Sequence, residues 1–319
     1  MHIVTSRSAD DPLELFEVPS PSLRSSEVRV RVRAIGVNPV DWKMRAGGFL
    51  GVMQRILGPS GPLVVGIDFA GDVVELGRGV TDLTVGARVV GGTNFARKQR
   101  GSYADEVVVR PDQCATLPDE VSYERAACLP VAGVTPWISL TKLSPVSTTT
   151  DARVLVLGAS GGVGLMAIQE AKMLGARAVG VCSAKNREVV EKYGAIAIDY
   201  GAGDPLAAAA EHGPYHLVLH AVGTDVYPLA ACRRLLAPTG RVTLVVVRPV
   251  DYPSVFFRPS VNTVLGRPDR ETLTPLVAGL ARGELDPIIA GTYPLAEAER
   301  AHAESKAGKV VGKLLLLPG

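Results

Sequence analysis

The chain has 319 residues, of which 47% are hydrophobic and 21% charged, and its formal net charge is +2. That length accommodates two domains with substantial cores, and the composition is that of an ordinary globular protein. A charge so close to balance carries no global pull toward nucleic acid or an anionic membrane, so neither is expected as a partner. The first residues, MHIVTSRSADDPLELF, lack the uninterrupted apolar run of a signal peptide, and no stretch is long enough to cross a bilayer. The expected location is the cytoplasm, where Cys114, Cys128, Cys182 and Cys232, too scattered for a metal knuckle, are simple thiols.

From Leu13 to about Asp119 the pattern predicts a β-rich domain. Val28 to Ala34 alternates valine with arginine, the period of a half-buried strand. Gly66 to Leu76, Ala87 to Val90 and Tyr103 to Val109 read as further short strands, and no convincing helical repeat precedes Ser122. A partly open barrel or sandwich is expected. Between Met44 and Pro62 the apolar residues Phe49, Leu50, Val52, Met53, Ile56 and Leu57 suit either a lid over a hydrophobic acceptor or the packing of a short helix. Arg97, Lys98 and Arg100 form the one basic cluster, suited to a phosphate-bearing carrier of the substrate or to a solvated loop.

Ser122 opens a helix, and a Pro/Gly break through Leu129 to Val134 leads into a second helix starting near Thr135 or Pro136. That break marks the crossing between domains. After the Ser/Thr-rich loop from Ser144 to Asp151, the run Arg153 to Leu157 is an aliphatic strand of the kind buried on both faces of a parallel sheet. The turn that follows carries Ala159, Ser160, Gly161, Gly162, Val163 and Gly164. Ala159, Gly161 and Gly164 occupy the three small-residue positions of a dinucleotide fingerprint, for the tight turn, the approach of backbone to a pyrophosphate, and close helix packing. The helix begins near Val163 and directs its unpaired N–H groups at the phosphates, and Gly175 caps its far end.

At the distance where the fingerprint places its ribose-reading residue, the strand Ala178 to Val181 runs into Cys182, Ser183, Ala184, Lys185, Asn186 and Arg187. A carboxylate there would bind a free 2′-hydroxyl and repel a 2′-phosphate. Ser183, Lys185, Asn186 and Arg187 instead offer a hydroxyl, an amide and two cations, which predicts NADPH over NADH. Thereafter strands at Ile196 to Ile198, Leu217 to Val222 and Val242 to Val247 alternate with helices over Asp204 to Glu211 and Val226 to Leu236. Alternation of this kind makes a doubly wound parallel sheet. A last strand is expected at Val261 to Leu265 and a helix from Asp269 to about Arg282, after which the tail Ile288 to Gly319 returns to complete the first domain.

The stretches Arg33 to Lys43 (RAIGVNPVDWK), Gly66 to Gly71 (GIDFAG), Gly86 to Val90, Gly101 to Glu106, Ala127 to Thr135 (ACLPVAGVT), the fingerprint, His220 to Gly223 (HAVG) and Gly308 to Leu314 together resemble one family. It is the zinc-independent quinone oxidoreductase branch of the medium-chain dehydrogenase/reductase superfamily, which includes ζ-crystallin and plant enone reductases. The resemblance implies an α/β protein with a GroES-like β-rich catalytic domain over residues 1–124, completed by 286–319, and a Rossmann doubly wound domain over 125–285. It also implies a cleft between the domains and a homodimer joined through the nucleotide domains near Val261.

Zinc-dependent relatives place a cysteine where this chain has Asn38, a Gly-His-Glu where it has Gly66-Ile67-Asp68, and a cysteine cluster in the lobe that here spans about 86–101 and contains none. Of the histidines, His212, His216 and His220 fall in the nucleotide half, His302 in the tail and His2 at the terminus, so no metal is expected. Hydride delivery from NADPH to a quinone or to the β-carbon of an enone is the chemistry that then fits, with a small hydrophobic molecule, free or carrier-bound, as substrate. Matched to the family's Asn-Pro-x-Asp segment, Asn38, Asp41, Trp42 and Lys43 are candidates for the catalytic wall. Asn38 would bind the ribose or the substrate oxygen, and Lys43 would either stabilise negative charge or pair with Asp41. Thr135 matches the threonine near the nicotinamide and is equally a simple N-cap. Val222 and Gly223, then Val245 and Val246 before Arg248, belong at the carboxyl edge of the sheet, and Tyr200 near the adenosine. Two other readings stay open: a non-reductive NADPH protein catalysing a cyclisation or isomerisation, and a structural or RNA-binding protein of the ζ-crystallin kind.

Overall fold

The computed structural model describes residues 1–6, 11–47, 56, 58 and 61–319. They pack as two compact units, one of residues 1–131, 267–283 and 287–319, the other of residues 132–266 and 284–286.

The first unit begins with β1 (His2–Thr5) and β2 (Glu14–Glu17), an antiparallel pair. Its spine is β3 (Val28–Val37), followed at once by a short helix α1 (Pro39–Arg45). Next come β4 (Asp68–Leu76), β5 (Arg88–Gly92), β6 (Glu106–Val109), β7 (Cys114–Thr116) and the one-turn helix α2 (Tyr123–Ala126). The alternation foreseen along β3 holds only to Arg33. From Ala34 to Val37 every residue is buried, because the strand there is covered on both faces. Helix α1 was invisible to periodicity, since seven residues give barely two turns. Its determinants are local: Asn38 is the N-cap, Pro39 opens the first turn, and the Asn38 N–H donates to the Asp41 carboxylate at 2.8 Å.

The second unit holds α3 (Val134–Thr141), β8 (Arg153–Leu157), α4 (Gly162–Met173), β9 (Arg177–Cys182), α5 (Arg187–Lys192) and β10 (Ile196–Asp199). It continues through α6 (Pro205–Ala210), β11 (Tyr215–His220), α7 (Leu229–Arg234), β12 (Leu236–Leu244), α8 (Tyr252–Phe257) and β13 (Val261–Thr263). The six strands form one parallel sheet in the order β10-β9-β8-β11-β12-β13. The helix expected over Val226 to Leu236 is shorter because Pro228 supplies no N–H and can only precede the first turn. The strand expected over Val242 to Val247 begins earlier, at Leu236, whose pairing with Tyr215 precedes a register shift, and it ends at Leu244.

The chain then returns to the first unit with α9 (Arg270–Ala281), β14 (Ile289–Pro294), α10 (Ala298–Lys306) and β15 (Lys313–Leu317). Strand β15 pairs antiparallel with the second half of β3, and β6 with its first half, giving the order β14-β15-β3-β4-β5-β7. Residues 125–131 and 267–283, which the sequence reading assigned to the nucleotide half, pack with this unit. The cause in α9 is Arg270, whose guanidinium donates to the Cys114 and Pro111 carbonyls at 3.0 and 2.8 Å.

Helix α4 is buried continuously from Gly164 to Ala171, and this run includes Glu170, whose two carboxylate oxygens are buried without a hydrogen-bond partner. Burial alone pushes its carboxyl well above the usual glutamate range. An acid whose folded value lies above its unfolded value weakens the fold as pH rises past the unfolded value near 4.5 and up through the folded one. Glu170→Met is therefore expected to stabilise the protein by about 1–3 kcal/mol at pH 8 and by less at pH 4, as read by urea denaturation at the two values.

Candidate functional site

Strand order reverses about β8 and β11, whose carboxyl ends therefore flank the crevice where open α/β sheets bind ligands. The chain leaves β8 through Gly158 at φ +89°, so the tight turn belongs to Gly158 and not to Ala159, its assigned position. Ala159 is fully buried against β9, where a Cβ on Gly180 would come within 2.7 Å of its methyl. At Gly164 a Cβ would lie 2.3 Å from the Gly158 carbonyl, so glycine there is demanded by packing. Gly161 differs: it is the extended N-cap of α4, and a Cβ would meet nothing nearer than 3.6 Å. Nothing among the described residues excludes a Cβ at this position, and an uncrowded glycine at the start of α4 fits the approach of a pyrophosphate.

The loop after β9 meets this turn, with the Asn186 amide donating to Ser160 Oγ at 2.9 Å. Arg187 is engaged with Glu191 at 3.0 Å one helical turn on. Of the four residues expected to read a 2′-phosphate, the ones with unengaged groups are Ser183, whose hydroxyl oxygen is buried without a partner, and the exposed Lys185. Tyr200 is 55% exposed and tied to the same loop by its N–H to the Cys182 carbonyl at 3.1 Å. At the end of β11 the His220 ring nitrogens lie 2.8 and 2.9 Å from the carbonyl oxygens of Val222 and Tyr227, which fixes the loop carrying Val222 and Gly223. Val245 and Val246 leave β12 half-buried beside it, Val245 donating its N–H to the His220 carbonyl. Thr135 is buried in α3, but Gly133 is the N-cap, so the capping role weighed for Thr135 does not apply.

In the first unit, the residues around Asn38 form a closed polar network. Asn38 is only 2% exposed, and its amide nitrogen donates to the Asp68 carboxylate at 3.0 Å and to the Gly36 carbonyl at 3.3 Å. Its carbonyl oxygen accepts from the Lys313 ammonium, which lies 3.0 Å from the same Asp68 oxygen. Asp41 Oδ2 accepts from the Asn38 N–H and from the Tyr103 hydroxyl at 3.3 Å, and that hydroxyl lies 2.9 Å from His302 Nε2. Burial, and then the neighbouring Asp68, raise the Asp41 carboxyl to about 7 against the opposing Asn38 N–H and Lys313. Burial also raises Asp68 against the pull of Lys313, and holds the His302 imidazole down to about 4. With the phenol hydrogen directed at Asp41, it is the Nε2 hydrogen of neutral His302 that meets the phenol oxygen.

Asp68, Tyr103, His302 and Lys313 were not candidates from the sequence, although the stretches GIDFAG, 101–106 and 308–314 had been singled out. Lys43 is exposed, its ammonium 5.4 Å above the Trp42 ring, and the ion pair weighed with Asp41 is not formed. The indole N–H of Trp42 donates to Ser305 at 3.2 Å. In the basic cluster Arg97 is spent on Asp112 through contacts of 2.9 and 3.0 Å. Phe49, Leu50, Val52, Met53 and Leu57, the apolar residues of the suggested lid, lie outside the described residues, and Ile56 is exposed. Among the described residues no group of three or more His, Cys, Asp or Glu is placed to hold a metal ion.

A parallel sheet with a phosphate-accepting turn, in one chain with a GroES-like β unit, defines the class: a nucleotide-dependent dehydrogenase or reductase. A model of the alcohol dehydrogenase GroES-like domain matches residues 24–119, and a zinc-binding dehydrogenase model matches residues 194–316. The chloroplast envelope quinone oxidoreductase homolog of Arabidopsis thaliana is 31% identical over 317 residues, which cover 96% of this chain and 94% of that protein. The solved quinone oxidoreductase of Coxiella burnetii matches with a TM-score of 0.86 at 28% identity, covering 99% of this chain and 98% of that one. Escherichia coli quinone oxidoreductase, solved in complex with NADPH, matches with a TM-score of 0.79 at 27% identity over 99% of both chains. The chain belongs to the quinone oxidoreductase branch of the medium-chain dehydrogenase/reductase superfamily.

Because the Tyr103 hydroxyl serves both Asp41 and His302, Tyr103→Phe leaves two buried polar groups short of a partner at once. A loss of about 1–3 kcal/mol in urea denaturation near pH 7 is expected, without a change in secondary structure by circular dichroism.

Proposed function

We propose that the chain is an NADPH-dependent reductase that transfers hydride to a quinone or to the β-carbon of an α,β-unsaturated carbonyl compound, without a catalytic metal. What supports this most is the pairing of an open glycine cradle at Gly161 with an unengaged hydroxyl and cation, Ser183 and Lys185, where a 2′-phosphate would be recognised. NADPH, when bound, supplies the hydride. The chain's own contribution begins with the N–H groups at the start of α4, which hold the pyrophosphate, while Val222, Gly223, Val245 and Val246 form the apolar edge at the carboxyl end of the sheet.

Such acceptors are already electrophilic, so no Lewis acid is needed, and what the protein adds is orientation and stabilisation of the oxygen that gains charge. The Asn38 segment of the first unit we assign to the acceptor, and Thr135, in the second unit, to the carboxamide of the cofactor. The Asn38 amide is fully used in its network, so its contribution is to fix the segment's backbone rather than to bind the acceptor. Zinc independence is supported by the Lys313 ammonium between Asn38 and Asp68, which puts a cation among the donors a metal would need.

The acceptor is a small hydrophobic molecule, free or carrier-bound; of the basic cluster suited to a carrier's phosphate, Arg97 is already neutralised by Asp112. The protein is a cytoplasmic homodimer in this reading. Four free thiols suit a reducing compartment, and Phe256 and Phe257, exposed by 76% and 83% on the helix before the edge strand β13, are the apolar surface a second copy would cover. Among the described residues no helix is long and apolar enough to cross a membrane.

Steady NADPH oxidation with some members of a panel of quinones and enones is expected, and a flat trace across the panel would sink the proposal. The double variant Ser183→Ala with Lys185→Ala should raise the NADPH dissociation constant roughly tenfold or more while leaving that for NADH within about twofold. Gly161→Ala is expected to fold with only a slightly lowered melting temperature, because its backbone is extended and a Cβ meets no close atom, and yet to weaken cofactor binding in a fluorescence titration.

A further inference from the structure

The register of the first unit's sheet brings three distant residues side by side. Leu314 pairs with Val37 and Leu315 with Gly36 in β15 and β3, so the next step of the ladder sets Lys313 across from Asn38. On the other side of β3, Ala34 pairs with Ala70 in β4, which sets Asp68 across from Gly36. A Cβ on Gly36 would lie 2.6 Å from the Asp68 carboxylate and 2.5 Å from the Ala127 carbonyl, so the glycine is what admits the acid to this position.

We infer that Lys313 is a positioning residue for the catalytic segment: its ammonium is the built-in cation of a closed, oxygen-lined site whose other members are Asn38 and Asp68. Lysine is almost never buried unless its charge is met, and Lys313 is only 5% exposed against an Asp68 that is fully buried. The contacts close on themselves. The ammonium donates to Asn38 Oδ1 and lies 3.0 Å from Asp68 Oδ2, and Asn38 Nδ2 donates to that same oxygen at 3.0 Å. The side chain of Asn38 is thereby held in one orientation by a cation at one end and an anion at the other. The backbone of Asn38 is in turn the N-cap of α1 and gives its N–H to Asp41. Lys313 thus acts on the Asn-Pro-x-Asp segment through Asn38, from the last strand of the chain, and its ligand chemistry is that of a primary ammonium coordinated by an amide oxygen and a carboxylate.

The deduction is tested first by a stability cycle that needs no activity. Lys313→Met keeps the stem and strands a buried carboxylate, and Asp68→Asn strands a buried ammonium, so each should lower the thermal midpoint by roughly 5–10 °C. The double variant K313M/D68N removes both charges and is expected to melt above K313M, or to fold where K313M does not. A double variant that fails to fold, or that melts no higher than K313M, overturns the assignment. The positioning role is read in the same double variant and rests on the proposed reductase activity: turnover with the best acceptor should fall at least about tenfold while the NADPH dissociation constant stays within about twofold. Full turnover in K313M/D68N reduces Lys313 to a structural residue and refutes its positioning role. Should the wild-type chain itself turn over no acceptor, the reductase reading fails while the melting cycle still decides the cation site.

Discussion

A carboxylate withdrawn from water has to be met by a cation or by several donors, and in the first unit this requirement organises everything near the Asn-Pro-x-Asp segment. Asp41 and Asp68 are both fully buried, and the charge of Asp68 helps to raise the Asp41 carboxyl. Lys313 and the Asn38 amide answer Asp68, while the Asn38 N–H and the Tyr103 hydroxyl answer Asp41. Because these partners come from β15, the end of β3, and the segment between β5 and β6, the sheet cannot change register without breaking the network. His302, on α10, extends the same network from the C-terminal part of the chain. Although Asp41 Oδ1, Asp68 Oδ1 and His302 Nδ1 are buried without a partner, contacts drawn from so many elements define one arrangement of the segment, as the proposed orientation of an acceptor requires.

The second unit meets its functional demand in the opposite way. Its fingerprint contributes few side-chain groups, and the anion site rests on backbone N–H groups and on the absence of side chains. Packing requires glycine at Gly164, whereas at Gly161 it does not, and that contrast distinguishes a glycine kept for the fold from one kept for a ligand. In the proposed reading, specificity is left to two side chains just beyond β9. Ser183 and Lys185 are unengaged because Asn186 and Arg187, with similar polar equipment, are occupied by Ser160 and Glu191. These four polar residues thus divide into two that hold the loop and two whose polar groups are left unengaged.

Much of this was legible in the sequence where local rules apply. The period of β3, the aliphatic runs of β8, β9 and β11, the caps at Ser122 and Asp204, and the small residues of the fingerprint each follow from short-range sterics or hydrogen bonding, and the parallel sheet follows from their alternation. Helix α1 was not legible, because a seven-residue helix made by one cap and one carboxylate leaves no repeat to read. Lys313, Tyr103 and His302 were missed for a different reason. Their roles depend on strand register and on packing between residues as far apart as 38 and 313, and a lysine followed by four leucines reads from sequence only as the start of a strand. The assignment of residues 267–283 went astray because α9 has the pattern of a crossover helix, while its partners are decided by where Arg270 finds carbonyl groups.

In the reading proposed above, reduction without a metal makes different demands on the two units. A zinc ion in a dehydrogenase both polarises the carbonyl and fixes the positions of its ligands. A quinone or an enone already draws electrons, so the first of these services is dispensable, but the second is not: the wall still has to be rigid to well under an ångström. In this chain the rigidity comes from a lysine ammonium, a cation that is covalently anchored and cannot be lost to a chelator. An ammonium nitrogen has no vacant orbital, and two of the three Lys313 N–H groups are directed at Asn38 and Asp68, so it can organise the segment and cannot serve as a Lewis acid. On the proposed reading, the electrophilicity the protein does not provide resides in the acceptor, which is why quinones and enones, rather than ordinary ketones or aldehydes, are the substrates it assigns.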